Sequence, residues 1–493
     1  MKTAALFPGQ GAFDGKALLA AAERHPDIGD VFAEIDAVTA AEAGRKLSAI
    51  VLSDEPATMS ELLADDPWVS QLAIYGVDVA VHRVLERAGW RPDVLAGHSL
   101  GEIAALVCAG AYTVADGARV IWERVRAVEG LELRGGYMAA LSTGAERAGL
   151  IAALVADGSL AVAAENHPTQ TVLSGSAAAM DIVREVAGAV KVPSARLAAG
   201  VPFHCPLLEP AVARFAAAVR AIPIRAPHTP VYSPIYGRYY EPGEDMGAAL
   251  AGHFVERVRF ADAVRALHAD GVRVFVECGA LETVSKLVRR NLDGADFAAV
   301  PGLTDAGRPI EDAVSRLRDL GAIEAAPAVP EGLLPGVDAE AFALFWADRG
   351  GAIVERIRRE FAEYGTPAPA TAPAAVPAAS VTAPAAVPAS VTAPVTAPVT
   401  ASVTAPAGDL GDDLRRLYAD ALEYPVEVFT DDVLLEAELG IDSVKQVELL
   451  TRVSERYGLP ARSGSFRLDE VATMDKVIGY VRATLGEHGA AGR

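Results

Sequence analysis

The sequence predicts an α/β sheet domain carrying a small ferredoxin-like insertion, then a disordered Ala/Pro-rich linker, then a C-terminal all-α four-helix bundle. Three observations carry that reading. An apolar strand, Val94-Leu95-Ala96, runs into the turn Gly97-His98-Ser99-Leu100-Gly101 and directly on into a helix. Strand and helix patterns follow one another as βαββαβ between Tyr137 and Leu197. From Pro367 to Pro406 the composition collapses to Ala, Pro, Val, Thr and Ser, and helical periodicity returns after Asp409.

Bulk properties bound the rest. At 493 residues the chain is too long for one ordinary core, so two or more domains are expected. A net charge of −21 argues against nucleic acid as a partner, because phosphate binding needs a basic surface. Cys108, Cys205 and Cys278 lie far apart, with no spacing that suggests a metal site, and read as reduced thiols. The stretch from Met1 to Phe7 meets Pro8 before any signal-peptide core can form, and no proline-free apolar run is long enough to span a bilayer. A cytoplasmic location is expected.

In chain order, Ala4 to Phe7 reads as a short buried strand closed by the turn Pro8-Gly9-Gln10-Gly11. The glycine spacing there fits neither a dinucleotide fingerprint nor a P-loop. Asp66 to Ala88 carries a long helical pattern that stops at Gly89. The strand before Ser99 and the helix after it make a nucleophile elbow of α/β hydrolase-like type, with glycines where the chain bends most sharply. Amides at the start of that helix, beginning with Leu100, would meet an oxyanion formed at Ser99.

The insertion reads as strand Met138–Leu141, helix Glu146–Val155, strands Leu160–Ala164 and Thr171–Leu173, helix Met180–Val190 and strand Ser194–Leu197. A cleft between it and the larger sheet is a natural substrate site. Pro202 and Pro206 then hold His204 in an irregular segment, with its ring free to face such a cleft. Val272 to Val276 forms a further strand, and Glu282 to Arg290 a helix. Asp338 to Tyr364 reads as a surface helix with Arg356, Arg358 and Arg359 and no assignable chemistry.

The linker lacks large apolar side chains, and its prolines remove backbone donors every few residues, so it is expected to act as a tether. About 40 such residues span on the order of 120 Å as polyproline II and roughly 35 Å as a flexible coil. Beyond it, helical patterns run from Leu410 to Leu422, Ser443 to Tyr457, Leu468 to Val471 and Met474 to Leu485. Acidic residues outnumber basic ones there by about seven, and Leu439-Gly440-Ile441-Asp442-Ser443 sits at the centre.

Four stretches together resemble the acyltransferase family that loads carrier proteins in fatty-acid and polyketide synthesis, the malonyl-CoA:acyl carrier protein transacylases. They are Phe7-Pro8-Gly9-Gln10-Gly11, Gly97-His98-Ser99-Leu100-Gly101-Glu102, Arg124, and Pro202-Phe203-His204-Cys205-Pro206, about 105 residues after Ser99. The chain departs from the family pattern at Ala12-Phe13 and at Val201-Pro202. Leu439 to Ser443 is similar to the phosphopantetheine attachment site of acyl carrier proteins.

The resemblance implies a mechanism. Ser99 would be the nucleophile and His204 its base, with the amides of Gln10 and Leu100 as the oxyanion hole. Arg124 would pair with the free carboxylate of the acyl group, and the bulk of Phe203 would favour malonyl over methylmalonyl. A backbone carbonyl near Asp270 would orient His204, and Ser443 would carry covalent 4′-phosphopantetheine, installed by a phosphopantetheinyl transferase.

The expected organisation is an acyltransferase over 1–303 with its insertion at about 131–199, a helical segment over 304–365, the linker over 366–408 and a carrier over 409–486. Malonyl-CoA is the expected donor and the chain's own carrier the expected acceptor. Condensation would fall to a ketosynthase or other synthase component in trans. Other acyl units, a separate carrier protein, and an editing acyl-thioester hydrolase remain open readings.

Overall fold

The expected strand at Ala4 to Phe7 lies in the middle of the larger sheet of the computed structural model. The structure describes residues 1–197, 199–304 and 309–323, with parts of 342–357 and of 410–491. Six strands build that sheet: β1 (Lys2–Phe7), β2 (Val94–Gly97), β7 (Val231–Ser233), β8 (Arg238–Tyr239), β9 (Val272–Ala280) and β10 (Ala298–Leu303). Their order is β10-β9-β1-β2-β7-β8, parallel throughout except for β8 on the edge. β1 and β2 are near-continuous apolar runs because helices cover both faces of a parallel sheet.

The helices that matter for the site are α1 (Gly15–Ala22), α2 (Pro67–Arg87), α3 (Gly101–Cys108), α4 (Val114–Val128), α5 (Phe260–Ala269) and α6 (Thr283–Asn291). α2 confirms the long periodic stretch and starts on Pro67, where a missing N–H costs nothing. It is buried almost all round, against β9, α3 and α4.

β9 runs to Ala280, four residues beyond the expected end. Glu277 continues the strand although it is a carboxyl, because the amides of Val284 and Ser285 at the start of α6 donate to it at 3.2 and 2.8 Å. Burial is the main cause that pushes its pKa up, to about 7.

The insertion has the expected βαββαβ order: β3 (Tyr137–Leu141), helix Ala145–Val155, β4 (Ala161–His167), β5 (Gln170–Gly175), helix Ala177–Ala189 and β6 (Ser194–Arg196). Its four strands form a separate antiparallel sheet, ordered β4-β5-β3-β6, over its own core of Leu141, Ile151, Leu173, Met180 and Val183. One isolated bridge, Ala164 to Val258, stitches this lobe to the larger one. The larger core continues past residue 303 through Ile310, Leu317 and Ile323, because helix Pro309–Asp319 packs back against β10.

In the C-terminal region, α7 (Leu410–Leu422) and α8 (Met474–Ala491) share an apolar cluster with Phe429, Leu449, Leu450 and Val453. The linker at 366–408, the segment Leu468 to Val471 and most of Asp338 to Tyr364 lie outside the described residues. So do Asp442 and Ser443.

Candidate active site

β2 ends at Gly97 and α3 begins at Gly101, so the chain reverses across His98, Ser99 and Leu100. Ser99 holds a φ of 55°, a left-handed conformation that side chains rarely adopt. Backbone interlock keeps it there. A Cβ on Gly101 would lie 2.1 Å from the Phe7 carbonyl oxygen, and one on Gly9 would lie 2.6 Å from that of His98. The His98 amide donates to Phe7 O at 2.8 Å. The turn Pro8-Gly9-Gln10-Gly11 therefore presses on the elbow, main chain to main chain. Among the described residues no internal acceptor engages the amide of Gln10 or that of Leu100.

Ser99 Oγ lies 2.6 Å from Nε2 of His204, and Nδ1 of the same ring lies 2.7 Å from the Glu256 carbonyl oxygen. A carbonyl only accepts, so in the neutral ring the proton belongs on Nδ1 and Nε2 is left to accept from the serine hydroxyl. Burial is the main reason that the imidazole pKa falls to about 3, with the nearby Arg124 charge acting the same way and the Glu256 carbonyl opposing. At neutral pH the ring is an uncharged acceptor in place to take a proton.

The carbonyl that orients His204 is that of Glu256, not one near Asp270. Asp270 closes α5 just before β9 begins, at the opposite edge of the sheet from Ser99, and its carbonyl accepts from Lys2 Nζ at 3.0 Å. Glu256 lies instead in the segment beside the histidine, where the Cys205 amide donates to Phe254 O at 3.2 Å.

Arg124 and Arg126 separate cleanly on α4: Arg124 is 3% exposed, while Arg126 faces outward. The Arg124 guanidinium donates to Gln71 Oε1 from α2 and lies over two near-parallel rings, Phe203 at 3.9 Å and Phe254 at 5.8 Å, whose centroids are 6.3 Å apart. Burial alone draws its pKa down to about 9, and no carboxylate pairs with it among the described residues. A cation held out of water without a counter-ion costs free energy that an anionic ligand would offset.

The structure thus gathers Ser99, Leu100, Arg124, Phe203 and His204 around one site, with the Gln10 turn against it. It adds Gln71, Phe254 and Glu256, which the sequence reading missed. Gln71 carried a signal: it is one of a few buried polar residues, with Ser70, Asp78 and His82, in a helix that is apolar over most of its length. Asn166 was also missed. Its Oδ1 accepts from His98 Nε2 at 2.8 Å, joining the elbow to the inserted lobe. Behind the elbow, Glu102 is buried and accepts from the Tyr240 hydroxyl at 2.6 Å, and burial pushes its pKa up to about 8.

Among the described residues no group of three His, Cys, Asp or Glu side chains could hold a metal ion, and no helix is long and apolar enough to cross a membrane. The family model for the acyl transferase domain matches residues 6–316, and that for the phosphopantetheine attachment site matches residues 412–481.

The chain is 33% identical over 310 residues to phenolphthiocerol synthesis polyketide synthase type I Pks15/1 of Mycobacterium marinum. That match covers 62% of this chain and 14% of the synthase, so the chain spans only a small part of that relative. It is 29% identical over 315 residues to the malonyl CoA-acyl carrier protein transacylase of Escherichia coli K12, covering 60% of this chain and 94% of that enzyme. The structure of the malonyl CoA-acyl carrier protein transacylase from Coxiella burnetii superposes with a TM-score of 0.57 at 28% identity, covering 64% of this chain and 98% of that one.

Proposed function

We propose that this chain, which belongs to the acyl transferase domain family, moves a malonyl group from malonyl-CoA through an acyl-serine at Ser99 to a thiol on its own C-terminal carrier. The observation that carries this reading is a neutral imidazole 2.6 Å from Ser99 Oγ, together with a buried Arg124 that lacks a carboxylate partner among the described residues.

In the first half-reaction Ser99 Oγ attacks the thioester carbonyl carbon while His204 Nε2 takes the hydroxyl proton. The amides of Leu100 and Gln10 donate to the oxyanion, and Arg124 holds the distal carboxylate with Phe203 as its floor. As the tetrahedral intermediate collapses, the C–S bond breaks and the imidazolium returns its proton to the departing CoA sulfur. In the second half His204 takes the acceptor thiol's proton, the thiolate displaces Ser99 from the acyl carbon, and the serine oxygen regains the proton.

The match to a phosphopantetheine attachment site supports Ser443 as the position of the acceptor group. 4′-Phosphopantetheine supplies a thiol at the end of a long arm. The acidic surface expected of the carrier bundle and the proline-rich tether fit delivery within one chain, with condensation left to a partner synthase and phosphopantetheinylation to a transferase. A soluble setting such as the cytoplasm fits these substrates.

The test is intact-protein mass spectrometry of the phosphopantetheinylated chain with malonyl-, methylmalonyl- and acetyl-CoA. Malonyl should appear on both domains, Ser99→Ala should abolish both adducts, and Ser443→Ala should leave only the acyl-serine. Malonylation that survives Ser99→Ala overturns the reading. An acyl-serine lost to water and never passed to the carrier would favour the hydrolase.

A further inference from the structure

Two ion pairs join the C-terminal region to the catalytic lobe. Arg416 of α7 donates to Asp14 Oδ2 at 2.9 Å, and Lys286 of α6 donates to Asp420 of α7. The Asp14 side chain is 7% exposed, and its other oxygen caps α1 by accepting from the Ala17 amide at 3.0 Å. Arg416 and Asp420 are four positions apart, so they project from one face of α7.

The two catalytic-lobe partners share an edge of the sheet. Asp14 follows the Gln10 turn at the end of β1, and Lys286 lies in the helix that follows β9, the neighbour of β1. The other neighbour of β1 is β2, which ends in the Ser99 elbow. The inserted lobe takes part as well: Ala195, in its edge strand β6, is buried in the same apolar cluster as Leu414, Tyr418 and Phe429.

We propose that the face of α7 bearing Arg416 and Asp420 is the surface by which the chain's own carrier docks beside the Ser99 elbow, touching both lobes. This rests on the acyl-transfer reading above for its purpose, but the contact is independently measurable. The polarity is crossed: the catalytic lobe offers an acid and a base, and α7 answers with a base and an acid. A carrier with an acid in place of Arg416 meets Asp14 as a like charge and is rejected, so the pairing selects this carrier.

Two measurements test it. In the apo chain, Lys286→Cys with Asp420→Cys should be joined by a short bis-maleimide, read by the mass of the linked tryptic peptides, against the native thiols as background. Adding Arg416→Glu should slow that linkage by about threefold or more. In the phosphopantetheinylated chain, Lys286→Glu and Asp420→Lys should each slow malonyl transfer from Ser99 to the carrier by about 3- to 10-fold, and the double variant should recover most of the loss. Acylation of Ser99 and transfer to free pantetheine should stay at the parent rate.

Absence of the cross-link, or single variants that transfer at the parent rate, overturns the docking surface. A cross-link that forms in a chain unable to acylate Ser99 or free pantetheine leaves docking intact and overturns the acyl-transfer reading instead.

Discussion

The Arg124 guanidinium carbon lies 3.9 Å from the centre of the Phe203 ring, so the residue next to His204 also supports the cation. In the proposed reaction, the anion site and the proton-transfer site thereby rest on adjacent residues. A hydrogen bond to a charged group contributes about 1.5–3 kcal/mol, and the planar fork can make two to one carboxylate.

Arg124→Ala should therefore lower kcat/KM for malonyl-CoA by about 100-fold or more while raising acetyl loading relative to malonyl. Arg124→Lys, which keeps the charge and loses the fork, should fall between them. Competition between the two CoA esters, read by the mass of the acyl-enzyme, checks it. Unchanged selectivity in the alanine variant would remove the carboxylate from this site.

The pH profile follows from His204. Its pKa lies near 3 in the fold against an ordinary 6.5, mainly through burial, so the base stays deprotonated through mildly acidic pH. The kcat/KM for acylation of Ser99 should run level from about pH 8 to about pH 5, with no inflection near the ordinary value for histidine. Stopped-flow release of CoA measures this. The same shift bears on folding: the unfolded chain binds the extra proton between the two values, so this group's contribution is complete above 6.5 and is lost as pH falls toward 3.

Gly9→Ala tests the oxyanion turn without touching the nucleophile or the base. The new Cβ would sit 2.6 Å from the His98 carbonyl oxygen, so the turn must move away from the elbow and take the Gln10 amide with it. Loss of one oxyanion donor costs about 100- to 1,000-fold in kcat. That loss should appear with KM little changed. A variant that folds and turns over at the parent rate would clear Gln10 of the role.

Glu102→Gln should change how stability depends on pH. The buried carboxyl keeps its proton to about pH 8, against an ordinary 4.5, so the fold holds a proton that the unfolded chain releases. Its contribution is complete below 4.5 and is lost as pH rises through 8. Glutamine cannot ionise and can still accept from Tyr240. The Tm of the variant relative to the parent should rise by about 3 °C or more between pH 5 and pH 9, measured by differential scanning calorimetry.

Much of the catalytic lobe was legible because it is local. The elbow at Ser99, the turn at Gln10 and the long helix from Pro67 declare themselves through glycine, proline and periodicity over short windows. Arg124 was placed by its offset from Ser99, and only packing shows why it differs from Arg126. The Glu256 carbonyl was hidden for a general reason: any residue has a carbonyl, so side-chain identity carries no trace of the role. Asn166 was equally silent, since its function depends on two lobes meeting. β9 was cut short because Glu277 looks like a strand terminator until the amides of α6 are seen to receive it.

The hydrogen bond from His98 to Asn166 couples the position of the inserted lobe to the residue beside Ser99. An acyl group that shifted the inserted lobe would disturb the residue beside Ser99 through that bond. Size discrimination would then show as acyl groups that bind normally and react slowly, a selectivity written in turnover and not in occupancy.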